Sequence, residues 1–253
     1  MAEHIEVDVQ DRVLTIRMNR PEKKNALTRQ MYSAMTAALH RADGEATVRA
    51  ILIMGSADCF TAGNDLQDFA SASPGEPSVA LEYLKKLAET SKPVLAAVAG
   101  AAIGIGTTML LHCDLAYAAS GARFQLPFVN LGLCPEAASS LILPELMGHH
   151  RAAELLFLGE PFSADVAHEL GIVNQIFPEQ ELLQSAVTRA QQLVQKPPSA
   201  LRATKALLKR NSGAMIDAMN SESEQFAALL QGPEAKEAFS AFLQRRKPDF
   251  SKL

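Results

Sequence analysis

Cysteine and long apolar runs are both scarce in this sequence. Only three cysteines occur in 253 residues, and they lie far apart, at Cys59, Cys113 and Cys134. An odd number of scattered cysteines argues against a disulfide framework and against paired metal ligands, so we interpret them as core thiols. No apolar run approaches the roughly 20 residues of a membrane span. The N-terminal segment MAEHIEVDVQ also lacks the basic and then apolar pattern of a signal peptide. We therefore expect no membrane partner and no secretion.

An excess of positive charge is missing as well. The formal net charge is −4 and the pI is about 5.9, which gives no overall electrostatic reason to expect a nucleic-acid partner. Arg245, Arg246 and Lys247 form a small basic cluster, which we interpret as solvated helix surface. With 48% apolar and 21% charged residues, the composition is that of an ordinary globular protein.

Several widespread catalytic and nucleotide-binding motifs are also absent. The sequence has no G-x-x-x-x-G-K-[ST] phosphate loop, no G-x-S-x-G nucleophile elbow and no H-E-x-x-H zinc helix. Gly100, Gly104 and Gly106 match a dinucleotide fingerprint poorly, because Met109 stands where its third glycine belongs. We therefore expect no dinucleotide cofactor and no catalytic metal.

The first part of the chain predicts strands that alternate with helices. Apolar residues alternate on both sides of a turn at Asp11-Arg12, which predicts a β-hairpin over residues 5–18. An apolar helical pattern over residues 28–40 begins with Thr28 as a candidate N-cap. The run over residues 50–54 is typical of a buried strand.

Later segments predict a change to helices. Small polar residues, proline and glycine over residues 71–78 predict a mobile loop. A helix over residues 79–90 and buried strands over 94–99 and 115–118 follow. Helices dominate from about Glu136, so we divide the chain into a core, residues 1–195, and a C-terminal helical subdomain, residues 196–253.

Two glycine-containing turns, Cys59–Leu66 and Gly100–Thr107, are candidates for chemistry. Each follows a buried strand, and such turns can present backbone N–H groups that stabilise an anionic oxygen. The same glycines are equally compatible with a purely structural role in tight turns.

Glu136 is the candidate acid, because it stands within the apolar run Leu131–Ala138. Burial there would raise the pKa of its carboxyl, whereas a position in the first turn of a helix would lower it. The sequence pattern leaves both outcomes open, and composition alone favours an ordinary acid at a helix N-terminus.

Four segments read together resemble the crotonase, or enoyl-CoA hydratase/isomerase, family: RPEKKNAL from Arg20, FTAGNDL from Phe60, KPVLAAVAGAAIGIG from Lys92 and CDLAYAASGARFQLPFVNLGLCPE from Cys113. They occur in the family's order over nearly the whole chain. The resemblance implies an α/β fold, a spiral of β-β-α units with a C-terminal helical subdomain used in trimer formation. It also implies a coenzyme A thioester as substrate, with no separate cofactor.

The resemblance also implies the residues of the site. Two backbone donors for the thioester oxygen carry over to Asn64 and Ile105. The expected lining of the CoA and thioester pocket includes Ala62, Gly63, Asp65 and Leu66, with Lys24 near the nucleotide end.

One difference from the hydratases of the family concerns the acids. Their two glutamates correspond to Thr108 and Phe128 here, whereas Glu136 matches the single acid of the peroxisomal-type isomerases. Without those glutamates we expect no efficient hydration. The resemblance therefore implies an isomerase of fatty acyl-CoA β-oxidation that moves a β,γ double bond to the α,β position, with an apolar pocket around Thr108, Phe124 and Phe128. A hydratase or another enolate-forming member, and an inactive binding scaffold, are the alternatives.

Assembly and location are further expectations. Apolar stripes in the C-terminal helices, from Ala203, Leu207 and Leu208 to Phe226, predict a homotrimer or a dimer of trimers. The composition favours a bacterial cytoplasmic protein, whereas in a eukaryote the final tripeptide Ser-Lys-Leu, residues 251–253, would direct it to the peroxisomal matrix.

Overall fold

The computed structural model describes residues 4–70, 78–210 and 212–253. The predicted hairpin over residues 5–18 and the predicted strand over 50–54 are both confirmed. The strands are β1 Ile5–Gln10, β2 Val13–Met18, β3 Ala50–Met54, β4 Cys59–Thr61, β5 Val94–Val98, β6 Ala101–Ile103, β7 Leu115–Ala119, β8 Arg123–Gln125, β9 Phe162–Ser163 and β10 Gln175–Phe177.

The predicted helix over residues 28–40 is also confirmed, and Thr28 caps it by accepting a hydrogen bond from the Met31 N–H. The predicted helix over residues 79–90 is present and ends at Glu89. The helices are α1 Arg29–Gly44, α2 Leu66–Ala70, α3 Val79–Glu89, α4 Ile105–Thr108, α5 Ser139–Met147, α6 His149–Leu158, α7 Ala164–Glu169, α8 Glu179–Val194, α9 Pro198–Leu208, α10 Ser212–Leu230 and α11 Pro233–Leu243.

The strands form two sheets between which the chain passes repeatedly. The first sheet has the order β1-β2-β3-β5-β7-β10, and the second has the order β4-β6-β8-β9. Each long strand of the first sheet from β3 onwards is followed by a short strand of the second, and helices come next. This is the predicted spiral of β-β-α units. The short strands β4 and β6 were not predicted. They form the first part of the two segments, residues 59–66 and 100–107, that the sequence predicts only as glycine-containing turns.

The first sheet is buried on both faces, which explains why its central strands are apolar throughout. Alternate residues such as Ile51 and Ile53 pack into the main core, which also contains α1 and α3. Their neighbours, such as Leu52, pack against α8 on the other face. A strand covered on both sides has no polar face, so β3 shows no alternation of apolar and polar residues.

The C-terminal helices return to the spiral. The predicted boundary near Lys196 falls in the short connection between α8 and α9. The predicted loop over residues 71–78 lies outside the described residues apart from Ser78, which caps α3 by accepting a hydrogen bond from the Leu81 N–H. In the part of the chain that the structure describes, no helix combines the length and the apolar character needed to cross a membrane.

Candidate active site

One cavity of about 550 Å³ brings together most of the residues predicted for the site. Two parts of the chain form the wall of this cavity. The spiral core supplies the glycine turns, and the C-terminal helices α10 and α11 supply apolar side chains beside them. The predicted site residues that line it are Lys24, Ala62, Gly63, Asn64, Asp65, Leu66, Ile105, Phe128 and Glu136.

Strand pairing brings the two glycine turns side by side. β4 and β6 run parallel, with Thr61 paired to Ala102, so the segments that follow them leave the sheet at the same edge. Gly63 and Gly104 have φ angles of 91° and 56°, a region that suits residues without a Cβ. A Cβ atom on Gly63 would also lie 2.9 Å from the carbonyl oxygen of Ile103. Glycine is therefore needed at Gly63 for its backbone angle and for this close approach.

The residues that follow these two glycines, Asn64 and Ile105, bring their backbone N–H groups to the cavity. Within the described ranges, the N–H groups of Asn64 and Ile105 find no hydrogen-bond acceptor. The bridge beside Asn64 instead uses its neighbours, because Leu27 donates to the Gly63 carbonyl at 2.8 Å and Asp65 donates to the Leu27 carbonyl at 2.9 Å. Ile105 begins α4, where the first N–H groups of a helix have no intrahelical partner. Two backbone donors without an acceptor in the described part of the chain thus line one cavity.

Tyr32 holds the side chain of Asn64. This buried tyrosine of α1 donates a short hydrogen bond from its hydroxyl to Asn64 Oδ1. Burial, and then the nearby charge of Glu136, raise the pKa of the phenol, so it stays a donor. Tyr32 was not among the predicted site residues, although its place in the apolar helical pattern with Met31 and Met35 marks it as a residue of the buried face.

Asp65 supports the turn through its carboxylate. It pairs with Arg20 at 2.7 Å and accepts hydrogen bonds from the N–H groups of Gln67 and Asp68 at 3.1 Å and 3.2 Å. Burial alone would raise the pKa of Asp65, but the hydrogen bond and charge of Arg20 outweigh it and lower the pKa. Lys24 is exposed, and it lines the cavity beside Glu22 and Lys23.

Glu136 lies in the connection before α5, three residues ahead of the first helical residue, Ser139. The interpretation that places it in the first turn of a helix is therefore wrong. The residue as a whole is half-buried, but its Oε1 atom is fully buried and, within the described part of the chain, has no hydrogen-bond partner. Burial, and then the nearby charge of Glu222, raise the pKa of Glu136 to about 8. Of the two outcomes that the sequence left open, desolvation prevails.

Phe124 does not line the cavity, which corrects the expectation for this residue. Its fully buried ring stacks on Phe162 with the ring centroids 5.7 Å apart. Successive side chains of a strand point to opposite faces, so the next residue of β8, Gln125, lines the cavity instead. Phe128 lines the cavity as expected, whereas Thr108 is buried in α4.

The C-terminal helices contribute apolar side chains to the wall of the cavity, including one that was expected to serve in assembly. Phe226 of α10 is buried and lines the cavity, so the expectation that it belongs to an exposed oligomer stripe is wrong. Leu207 and Leu208 of α9, in contrast, are 72% and 80% exposed. The residues of α11 that line the cavity are Phe239, Phe242 and Leu243.

Comparison with known proteins agrees with this architecture and places the chain in a family. The family model described as Enoyl-CoA hydratase/isomerase matches residues 8–252. The chain therefore belongs to the enoyl-CoA hydratase/isomerase family, an enzyme family with coenzyme A thioester substrates, and it has the crotonase fold. A crystal structure of an enoyl-CoA hydratase/isomerase from Pseudoalteromonas atlantica superimposes with a TM-score of 0.93 at 40% identity, and the match covers 98% of this chain and 100% of that one.

Curated relatives include both isomerases and hydratases of coenzyme A thioesters. Rattus norvegicus enoyl-CoA delta isomerase 2 is 35% identical over 242 residues, a match that covers 92% of this chain. The chain spans only 62% of the length of that rat protein. The 2,3-dehydroadipyl-CoA hydratase of Escherichia coli strain K12 is 32% identical over 247 residues, which cover 96% of this chain and 97% of the hydratase.

Proposed function

We propose that the protein is an enoyl-CoA isomerase that moves a β,γ double bond of a fatty acyl-CoA thioester to the α,β position. The observation that carries this proposal is the high-pKa carboxyl of Glu136 in the same cavity as the backbone N–H groups of Asn64 and Ile105, which have no acceptor among the residues that the structure describes. One acid that can accept and return a proton, beside two donors for an oxyanion, suffices for this reaction.

In the proposed mechanism, the ionised carboxylate of Glu136 removes a proton from the α carbon of the thioester. The electrons of that C–H bond form a new bond between the α and carbonyl carbons, and the carbonyl oxygen becomes the oxyanion of a conjugated dienolate. The N–H groups of Asn64 and Ile105 stabilise this oxyanion. When the carbonyl re-forms, the double bonds shift and the γ carbon takes the proton from Glu136. The carboxylate is regenerated, and no cofactor takes part.

The acids favour isomerisation over hydration. A hydratase must activate water and then deliver a proton to the α carbon, which in this family uses two carboxyl groups. The resemblance to the hydratases puts Thr108 and Phe128 at the positions of those groups, and neither side chain exchanges a proton as a carboxyl does. The apolar lining from Phe128 and α11 also suits a reaction without attacking water.

The test is to measure turnover of a β,γ-enoyl-CoA and of an α,β-enoyl-CoA by the same enzyme preparation. We expect isomerisation to be at least about 10²-fold faster than hydration, because a positioned acid or base contributes at least that much. Since Glu136 must be ionised to act, kcat/KM for isomerisation should increase with pH and level off above a pKa near 8. Hydration at a comparable rate would overturn the isomerase assignment.

We also propose that the enzyme is a homotrimer or a dimer of trimers. The support is the strong exposure of apolar side chains, with Leu207 and Leu208 on α9 and Phe157 on α6 each more than two-thirds exposed. Analytical ultracentrifugation at micromolar concentration should give the mass of a trimer or hexamer. A monomeric mass would refute the assembly but would leave the isomerase proposal standing.

A further inference from the structure

The backbone that carries Glu136 has an unfavourable conformation. The next two residues, Ala137 and Ala138, have φ angles of 65° and 55°, in the left-handed region that residues with a Cβ rarely adopt. Such a conformation is strained and persists only when its surroundings impose it. The segment after Glu136 must therefore be held by interactions with other parts of the protein.

Glu222 of α10 supplies several of these interactions. Its carboxylate accepts hydrogen bonds from the Ala138 N–H at 2.6 Å, from the Ser140 N–H at 2.9 Å and from Ser140 Oγ at 2.5 Å. The side chain is nearly inaccessible, since Glu222 is only 8% exposed. The bonded N–H groups lie at the start of α5, where an anionic group is also favoured by the helix dipole. A buried carboxylate thus fixes the turn between Glu136 and α5.

Two further groups hold the same segment by its carbonyls. His112 Nε2 lies 2.8 Å from the Ala137 carbonyl oxygen, and burial lowers the pKa of His112 to about 4, so a neutral ring donates this bond. Ser139 Oγ donates to the Glu136 carbonyl oxygen at 2.6 Å. All these bonds act beyond the reacting end of Glu136, whose Oε1 has no partner among the residues described. The backbone is fixed, and the carboxyl stays available.

We propose that Glu222 is a positioning residue, which holds the turn after Glu136 so that the carboxyl of Glu136 faces the substrate cavity. This inference rests on the proposed function only in taking Glu136 as the base. Burial also raises the pKa of Glu222, although the hydrogen bonds from Ser140 and Ala138 oppose that shift. Where Glu222 is ionised, its negative charge opposes ionisation of Glu136 and contributes to the high pKa of that carboxyl. Glu222 would therefore influence both the place and the proton affinity of the base.

The other groups around Glu136 do not provide the same effect. Tyr32 of α1 stays a neutral phenol, and burial raises the pKa of the Cys134 thiol on the same connection. The residues of α3 that border a small cavity beside Glu136 are Ala80, Leu81 and Leu84, together with its capping Ser78. His112 is neutral and bonds to the backbone. Glu222 is thus the acid whose removal should change the titration of Glu136.

The experiment compares Glu222→Gln with Glu224→Gln in the full-length protein. Glu224 lies two residues further along α10 and is exposed, so its variant removes the same charge from the same helix without touching the turn. The pKa of Glu136 is read in two ways, from the pH profile of kcat/KM and from NMR of glutamates labelled at the carboxyl carbon, with Glu136→Gln assigning the signal. The second reading does not depend on which reaction the enzyme catalyses.

For Glu222→Gln we expect the pKa of Glu136 to fall by roughly 1 unit, because a neighbouring negative charge is lost. We expect kcat per folded molecule to fall by about 10-fold or more, since small displacements of a catalytic group are costly. KM should change much less. Glu224→Gln should match the wild type in both measurements. A residue that only stabilised the fold would lower the melting temperature but would leave the titration of Glu136 and kcat per folded molecule unchanged.

Unchanged titration of Glu136 together with unchanged kcat in Glu222→Gln would overturn this inference. If Glu222→Gln does not fold, Ser140→Ala serves in its place, because it removes one donor to the carboxylate and keeps the two backbone donors. Ser140→Ala keeps the charge of Glu222 but weakens its hold on the turn, so kcat per folded molecule should fall by a smaller factor than in Glu222→Gln, and an unchanged kcat there would also reject the proposal. A wild-type enzyme that does not isomerise a β,γ-enoyl-CoA would refute the proposed function instead, and the NMR titration would still test Glu222.

Discussion

The two glycine turns and the Glu136 connection line the same cavity but are built in different ways. The glycine turns follow paired strands, and backbone hydrogen bonds such as that from Leu27 to Gly63 fix them. The Glu136 connection precedes a helix, and side chains from distant segments, above all Glu222, fix it. One half of the site is made by the backbone of the spiral, and the other by packing of the C-terminal helices.

The two parts of the site should therefore differ in how well they tolerate substitutions. A backbone donor survives most changes of side chain at its own position, so Asn64 and Ile105 can keep their N–H groups with other side chains. A buried carboxyl depends on its own chemistry and on every group that excludes water from it. We therefore expect the base to be sensitive to conservative changes and the donors to be sensitive only to changes of the backbone.

The largest expected effect is that of Glu136→Gln, which tests the side-chain half. The amide keeps the size of the side chain but cannot accept the α proton, so turnover should fall by roughly 10²–10⁴-fold, the contribution of a positioned general base. The measurement is kcat with a β,γ-enoyl-CoA, with binding of CoA as the control for an intact cavity. If the variant kept most of its activity, Glu136 would not be the base.

The next effect, on the backbone half, is that of Asn64→Pro. Proline deletes the N–H donor, and loss of one oxyanion donor should reduce kcat by about 10²–10³-fold. Because proline also restricts φ, the comparison requires circular dichroism and CoA binding that match the wild type.

Two matched variants keep the donors and change only side chains. Ile105→Ala retains its N–H. Asn64→Ala retains its N–H too, but it is paired with Tyr32→Phe so that no buried hydroxyl loses its acceptor. We expect both to lose less than about 10-fold in kcat, far below the loss of a donor. If the paired variant were as inactive as Asn64→Pro, the side-chain pair of Asn64 and Tyr32, and not only the N–H of Asn64, would be needed.

The smallest effect is on stability, and it has the opposite sign to the effect on activity. The folded-state pKa of Glu136, about 8, lies above the value of about 4.3 for an unfolded chain. The native state therefore binds more protons in this window, and the free energy of unfolding falls as pH rises from about 4 to about 8. Glu136→Gln lacks this loss, so its melting temperature should exceed that of the wild type by at least about 5 °C near pH 9.

The gap should close as pH falls towards about 4, where the folded and unfolded carboxyls are both protonated. Thermal unfolding followed by circular dichroism over this pH range measures the gap. A gap independent of pH would mean that the buried charge of Glu136 does not destabilise the fold.

Much of the fold follows from local patterns. The hairpin, α1 with its Thr28 cap and the buried β3 could be predicted, because alternation, helical spacing and capping act within a few residues. The short strands β4 and β6 could not, since three residues before a glycine turn carry too little pattern to differ from the turn itself. Phe124 was misplaced for the same reason, because the direction of a side chain depends on the register of a short strand.

The components of the site can be found in the sequence alone: glycines before Asn64 and Ile105, an acid at Glu136, and no carboxyl at Thr108 or Phe128. The protonation state of that acid depends instead on the folded protein. The carboxylate that binds the turn after Glu136 comes from α10, 84 residues from Ala138. The pKa of a carboxyl depends on the water that its surroundings exclude and on the charges that they bring near. Those surroundings exist only after distant segments have packed together.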